Sequence, residues 1–144
     1  MSRPKNRMTM KGRQQHNDRL RKLAGPEVVK AASRVLFVGS DMIKAEAFQS
    51  ISRGSVSGAG HVPSAPGEPP NRDTGVLQAN IENAMKSPLL AEVSSNAPYA
   101  AALEFGSSRM AARPYMRPAR DKKAPEIQRL FVTEIGKLVK RSGK

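Results

Sequence analysis

The chain has no cysteine, which excludes disulfides and thiolate metal sites outright. It has no tryptophan and only 4% aromatic residues, so any core it builds is aliphatic and methionine-containing. No apolar run approaches the ~20 residues that a bilayer-crossing helix needs. The charged start Met1-Ser2-Arg3-Pro4-Lys5 leads into no apolar segment of signal-peptide type, so a soluble protein made inside the cell, with no membrane partner, is expected. Also missing are an activated nucleophile, a carboxylate pair and a metal-ligand cluster, so neither catalysis nor a cofactor or metal is expected. What remains is 144 residues at 38% hydrophobic content, enough for one domain with a single modest core.

Acid is scarce at both ends. Of the net charge of +13, residues 1–30 hold nine Lys or Arg against two acids and residues 109–144 hold eleven against three, whereas residues 31–108 hold five against seven. Such termini favour a polyanion, most simply nucleic-acid phosphate met through counterion release and without sequence reading. The candidate phosphate contacts are Arg3, Lys5, Arg7, Lys11 and Arg13 at one end and Lys137, Lys140 and Arg141 at the other. The plainer alternative is a solvated basic surface or an acidic protein partner. Zinc-finger spacing and interleaved aromatics are absent, so base-specific recognition is not expected. Residues 1–17 lack apolar periodicity and read as a basic arm, mobile when alone, ahead of a single domain over 18–144.

From Asp18 a helical pattern begins with Leu20 and Leu23, breaks at Gly25-Pro26, and resumes through Val28, Ala32, Val35, Leu36, Met42, Ile43, Ala47, Phe48 and Ile51. Gly39 weakens its middle by ~1 kcal/mol relative to Ala, so a bend there is expected. Residues 53–72 form a Gly/Pro-rich loop, long enough to imply that it binds something or is held. Gly58-Ala59-Gly60 lacks the Gly-Lys-Ser/Thr ending of a phosphate loop. His61, Ser64 and Asp73 meet no geometric requirement of a nucleophile-base pair. Asp73-Thr74-Gly75 matches the tripeptide of aspartic proteases, but the polar Pro69-Pro70-Asn71-Arg72 cannot be the buried strand that such an aspartate ends; the turn reading is preferred.

Alternation at Leu77, Ala79, Ile81 and Met85, then at Leu89, Ala91 and Val93, predicts two half-buried strands over 76–85 and 89–95, turned around Lys86-Ser87-Pro88. Further strands are expected from 55–62, from 113–116 or from another subunit. Pro98 to Phe105 reads as a short helix ended by Gly106. Pro114 and Pro118 push Arg113 and Arg117 into extended backbone, giving a stiff segment that displays Arg113, Tyr115 and Arg117. The last helix starts at Pro125, which would break a longer one, and carries Ile127, Leu130, Phe131, Ile135 and Leu138 on one face. The fold class expected is α+β: a small antiparallel sheet flanked by a long N-terminal helix and a C-terminal amphipathic helix, with a protruding Pro/Gly-rich loop.

Three blocks in order carry a resemblance. They are Ser64-Ala65-Pro66-Gly67-Glu68-Pro69-Pro70 with Asp73-Thr74-Gly75-Val76-Leu77, then Tyr99 with Leu103-Glu104-Phe105-Gly106, then Ala112-Arg113-Pro114-Tyr115-Met116-Arg117-Pro118-Ala119. With a helical lead-in they span roughly residues 18–140, and the chain resembles the small neck and tail-completion (head-tail joining) proteins of long-tailed double-stranded DNA bacteriophages. Two conservative departures are Ser107, where the family commonly has Thr, and Tyr115-Met116 in place of the more usual Phe-Leu.

The resemblance implies a structural subunit of the neck or tail top, assembled in the host cytoplasm into the virion. It implies a cyclic homo-oligomer, a hexamer by the family's setting, beside connector, terminator and tail-tube proteins and around the DNA end. A closed ring needs two different complementary surfaces. Pro66, Gly67, Glu68, Pro69 and Pro70 are candidates on one side. On the other are Tyr99, Leu103, Glu104 and Phe105 with Arg113, Pro114, Tyr115 and Arg117. The rivals are a nonspecific nucleic-acid-binding accessory protein working as monomer or dimer, and a small hydrolase using Asp73.

Overall fold

A computed structural model of the chain describes residues 10–52 and 58–142. The elements in order are α1 (Met10–Leu23), α2 (Pro26–Ser52), a 3-10 turn at Gly58–Gly60, α3 (Val76–Ala79), β1 (Ile81–Ser87), β2 (Leu90–Ser95), α4 (Ala100–Phe105) and α5 (Met116–Ser142). Two long helices and a two-stranded antiparallel sheet make this an α+β fold, as the sequence predicts.

Helix α1 begins at Met10, ahead of the apolar pattern, and takes in residues 10–17, which the sequence assigns to the arm. It needs no periodicity, because nearly every side chain described on it is exposed, Leu20 included. It closes with the Ala24 N–H donating to the Leu20 carbonyl at 2.9 Å. Pro26 then occupies the first position of α2, where its missing donor costs nothing.

Helix α2 runs through Gly39 as one element. Gly39 is buried where α2 meets α5, and a Cβ on it would lie 2.9 Å from Ile127 Cγ2. Its low helix propensity is thus exchanged for a close crossing. A second tie between the same helices is the buried Glu46 carboxylate, 2.6 Å from Lys122 Nζ and 3.9 Å from Lys123 Nζ, which leaves no isolated charge in the interface.

Residues 76–79 form a helical turn instead of the start of a strand. Gly75 enters it at φ 83°, and the Asn80 side-chain amide donates to the Val76 carbonyl at 2.7 Å. Leu77 and Gln78 are consecutive and both buried, which a strand with one wet face cannot achieve. Gln78 Nε2 donates to the Phe48 carbonyl at 3.0 Å and so anchors the turn to α2. The hairpin that follows pairs Ile81 with Ser95 through Met85 with Ala91, slips by one residue between Met85 and Ser87, and turns at Pro88-Leu89. The expected additional strands do not form among the described residues; α2 covers one face of the hairpin instead, with Asn83 Nδ2 donating to Ser40 Oγ at 3.1 Å.

Helix α5 is continuous through Pro125, so the expected break there does not occur. Proline removes the bond to the carbonyl four residues earlier, that of Asp121. Both residues are exposed, so water can take that acceptor. The hydrophobic core gathers Ala47, Ile51, Leu77, Ile81, Ala97, Ala100, Tyr115 and Ala119, with Ile43, Val93, Leu103 and Met116 packed on it.

The two glycines of the long helices should respond oppositely. Gly39→Val is expected to lower unfolding stability in urea by about 1–3 kcal/mol through overpacking at Ile127. Gly136→Ala, at a position with nothing within 4 Å, should raise it by up to ~1 kcal/mol through helix propensity.

Candidate assembly site

Two sets of hydrogen bonds hold the segment between α4 and α5, and a third closes the loop on itself. The Arg113 N–H donates to the Leu103 carbonyl at 2.6 Å, while its Nε donates to the Ser64 carbonyl at 3.0 Å. The Gly67 N–H donates to the Ala112 carbonyl at 2.9 Å, with Gly67 in the left-handed region at φ 84°. Asn71 Nδ2 donates to the Val62 carbonyl at 2.8 Å. The proline-rich loop is thereby stitched along the segment that follows α4, leaving Pro66, Gly67 and Glu68 exposed, Pro69 half-buried and Pro70 buried.

Glu104 has a structural task that the sequence does not announce. Its carboxylate accepts the backbone N–H groups of Tyr115, Met116 and Arg117 at 2.9, 3.0 and 2.8 Å. Those are first-turn donors with no intrahelical partner, and the negative charge also suits the positive end of the α5 dipole. Gly106 permits the geometry at φ 78°, because a Cβ there would lie 3.0 Å from the Ala112 nitrogen.

Tyr115 corrects an expectation. It is not displayed: it is 2% exposed and is the largest side chain fully buried among the described residues. Helix α5 begins at Met116, so Arg117 is helical and not extended ahead of Pro118, and the Tyr115 ring joins the core with Ala47, Ile51 and Ala119. Burial pushes its phenol above the ordinary value, with the Ser95 hydroxyl pulling the other way. Leu103 is half-buried against the same core, and Arg113 and Pro114 are half-buried. Tyr99, Phe105 and Arg117 remain on the surface, with Tyr99 43% and Phe105 71% exposed.

Of the two groups of contact candidates, Pro70 from the loop and Tyr99, Leu103 and Arg113 from the other group line one cleft of about 420 Å³, while Pro66, Gly67, Glu68 and Pro69 lie outside it. His61 and Ser64 also line it, and Asp73 is the single carboxylate on its wall. An aspartic-protease pair is therefore not formed there within one chain. A second hollow of about 450 Å³ lies across α4, between α2, β2 and α5, under Phe105 and over Gly39, Ile43, Val93 and Ile127. Sequence reasoning misses it, since its floor is assembled from three elements whose apolar stripes each read as ordinary core.

Of the candidate phosphate contacts, Arg3, Lys5 and Arg7 lie outside the described residues, as does the side chain of Lys11. Arg13 is exposed on α1, and Lys140 and Arg141 are exposed in the last turn of α5. Lys137 pairs with Glu134 at 2.6 Å. The two basic ends converge: Arg21 and Lys22, in the last turn of α1, border the same depression as Arg141. Arg21 and Lys22 are not among the candidates drawn from sequence, although cations in a last helical turn are the available signal. Among the described residues no three His, Asp or Glu could hold a metal, and no helix is long and apolar enough to cross a membrane.

Compared with known families, residues 14–106 match the family model described as "Bacteriophage HK97-gp10, putative tail-component". No curated protein and no solved structure matches the chain.

Glu104→Ala should destabilise the fold by about 1–3 kcal/mol, the cost of leaving buried donors without a charged acceptor, measured by chemical denaturation. Tyr115 predicts a dependence on alkaline pH. Its folded pKa is raised, so its contribution is intact below the unfolded value of about 10 and is lost as pH climbs through the folded value. The unfolding midpoint of the wild type should therefore fall more steeply above that pH than that of Tyr115→Phe.

Proposed function

The chain belongs to the HK97-gp10-like family of bacteriophage tail components, and from that membership we propose that it is a structural subunit of the neck or tail top. In this reading it forms a ring around the DNA passage as a head-tail joining, tail-completion or tail-terminator protein, next to connector and tail-tube proteins. It acts by shape and adhesion and performs no chemistry.

One observation carries the reading beyond the family. Helix α4 separates two hollows, with Tyr99 and Leu103 on the wall of one and Glu104 and Phe105 on the wall of the other. A head-to-tail ring requires two unlike surfaces on each subunit. Two hollows with different residues on their walls, one with Asp73, Arg72 and Arg113 and the other with Glu104, Arg117 and Arg120 around an apolar floor, fit that requirement. Exposed aromatics beside a hollow are the residue types that anchor interfaces. The basic ends of α1 and α5 supply the charge toward DNA: in a ring the cluster of Arg21, Lys22 and Arg141 repeats once per subunit, favouring phosphate without base contacts.

Negative-stain images and mass photometry of the purified protein should give discrete rings, and Phe105→Ser or Tyr99→Ser should shift the population toward free subunits. Duplex DNA should be retarded at low salt and released as salt rises. Monomers or dimers that bind DNA without rings would instead support the accessory-protein reading.

A further inference from the structure

A two-stranded sheet is marginal by itself, and among the described residues both edges of this one are unpaired. The edges differ in their surroundings. Beyond β2 lies the hollow under Phe105, walled by α5. The hollow at Met85 of β1 is lined by one side of α2, where Val29 and Phe37 are 36% and 52% exposed, with Pro88 at its end. Unpaired backbone groups beside an apolar shelf are a template for another strand.

The outward face of β1 specifies which strand. Glu82, Ala84 and Lys86 are all exposed there, with the acid two residues before the alanine and the base two after. We propose that two copies of the chain pair through the outer edges of β1, antiparallel about a two-fold axis at Ala84, into one four-stranded sheet. In that register Glu82 of each copy stands opposite Lys86 of the other, so both cross-strand charge pairs attract. Ala84, the smallest of the three, falls where the faces meet on the axis. Lys86 lies 3.6 Å from Glu92 of its own hairpin, which places it on the outward face and, in the dimer, between two carboxylates. The register slip between Met85 and Ser87 leaves Ile81–Met85 regular and puts Lys86 in the bulge, from which its long side chain reaches along the outward face. An isologous contact closes after two copies and uses neither hollow beside α4, so it stands or falls separately from the ring.

Sedimentation velocity on the full chain at low salt tests the register. Wild type should associate in even numbers. Glu82→Lys and Lys86→Glu should each raise the dimer dissociation constant by on the order of tenfold, since each turns two attractive pairs into repulsive ones. Mixing the two variants should recover wild-type affinity within about threefold, because a strand carrying lysine at both positions then faces a strand carrying glutamate at both. Circular dichroism checks that each variant is folded. A wild type that shows no even-numbered association, single reversals that change nothing, or a mixture as weak as its components would overturn the pairing.

Discussion

The three hydrogen bonds that Glu104 accepts fix where the last helix starts, and most of the molecule follows from that point. Helix α5 supplies the wall of one hollow, the partner for Gly39 and the lysines that meet Glu46. Without Glu104 the half-buried N–H groups of Tyr115 and Met116 would lose their acceptor, at a cost of about 1–3 kcal/mol for each donor kept from water. A carboxylate from another helix removes that cost and ties α4 to α5 in one step. Tyr115 is drawn beneath the junction as a result, and the core closes over it.

Arg113 does for the surface what Glu104 does for the interior. Its backbone is bonded to α4 and its side chain to the proline-rich loop, so the loop and the segment after α4 become one wall of a cleft. The conformational entropy of a long Gly/Pro-rich connection is thus offset by bonds that shape the cleft.

Much of this is legible in the residues. The long second helix and the hairpin follow from periodicity, the short helix from its stop at Gly106, and three blocks between Ser64 and Ala119 carry the family resemblance. The misreadings share a physical origin: local pattern does not report what a backbone group will find in three dimensions. Pro125 reads as a break because its lost bond is visible in sequence, whereas the water available to Asp121 is not. Tyr115 reads as displayed because proline spacing predicts extended backbone but not its facing, which α5 sets. Glu104 reads as a contact residue because nothing local distinguishes a cap that reaches a helix start as far along the chain as Tyr115. Helix α1 is truncated at Asp18 in the sequence reading because an all-polar helix leaves no period to detect.

The core described above has a further implication. Half of the buried apolar residues recorded are alanines: Ala32, Ala47, Ala97, Ala100 and Ala119 against Val35, Ile51, Leu77, Ile81 and Tyr115. A buried alanine fills little space, so a larger side chain at any of those five positions crowds the elements around it. The other five fail in the opposite sense, by leaving a hole when they are shortened.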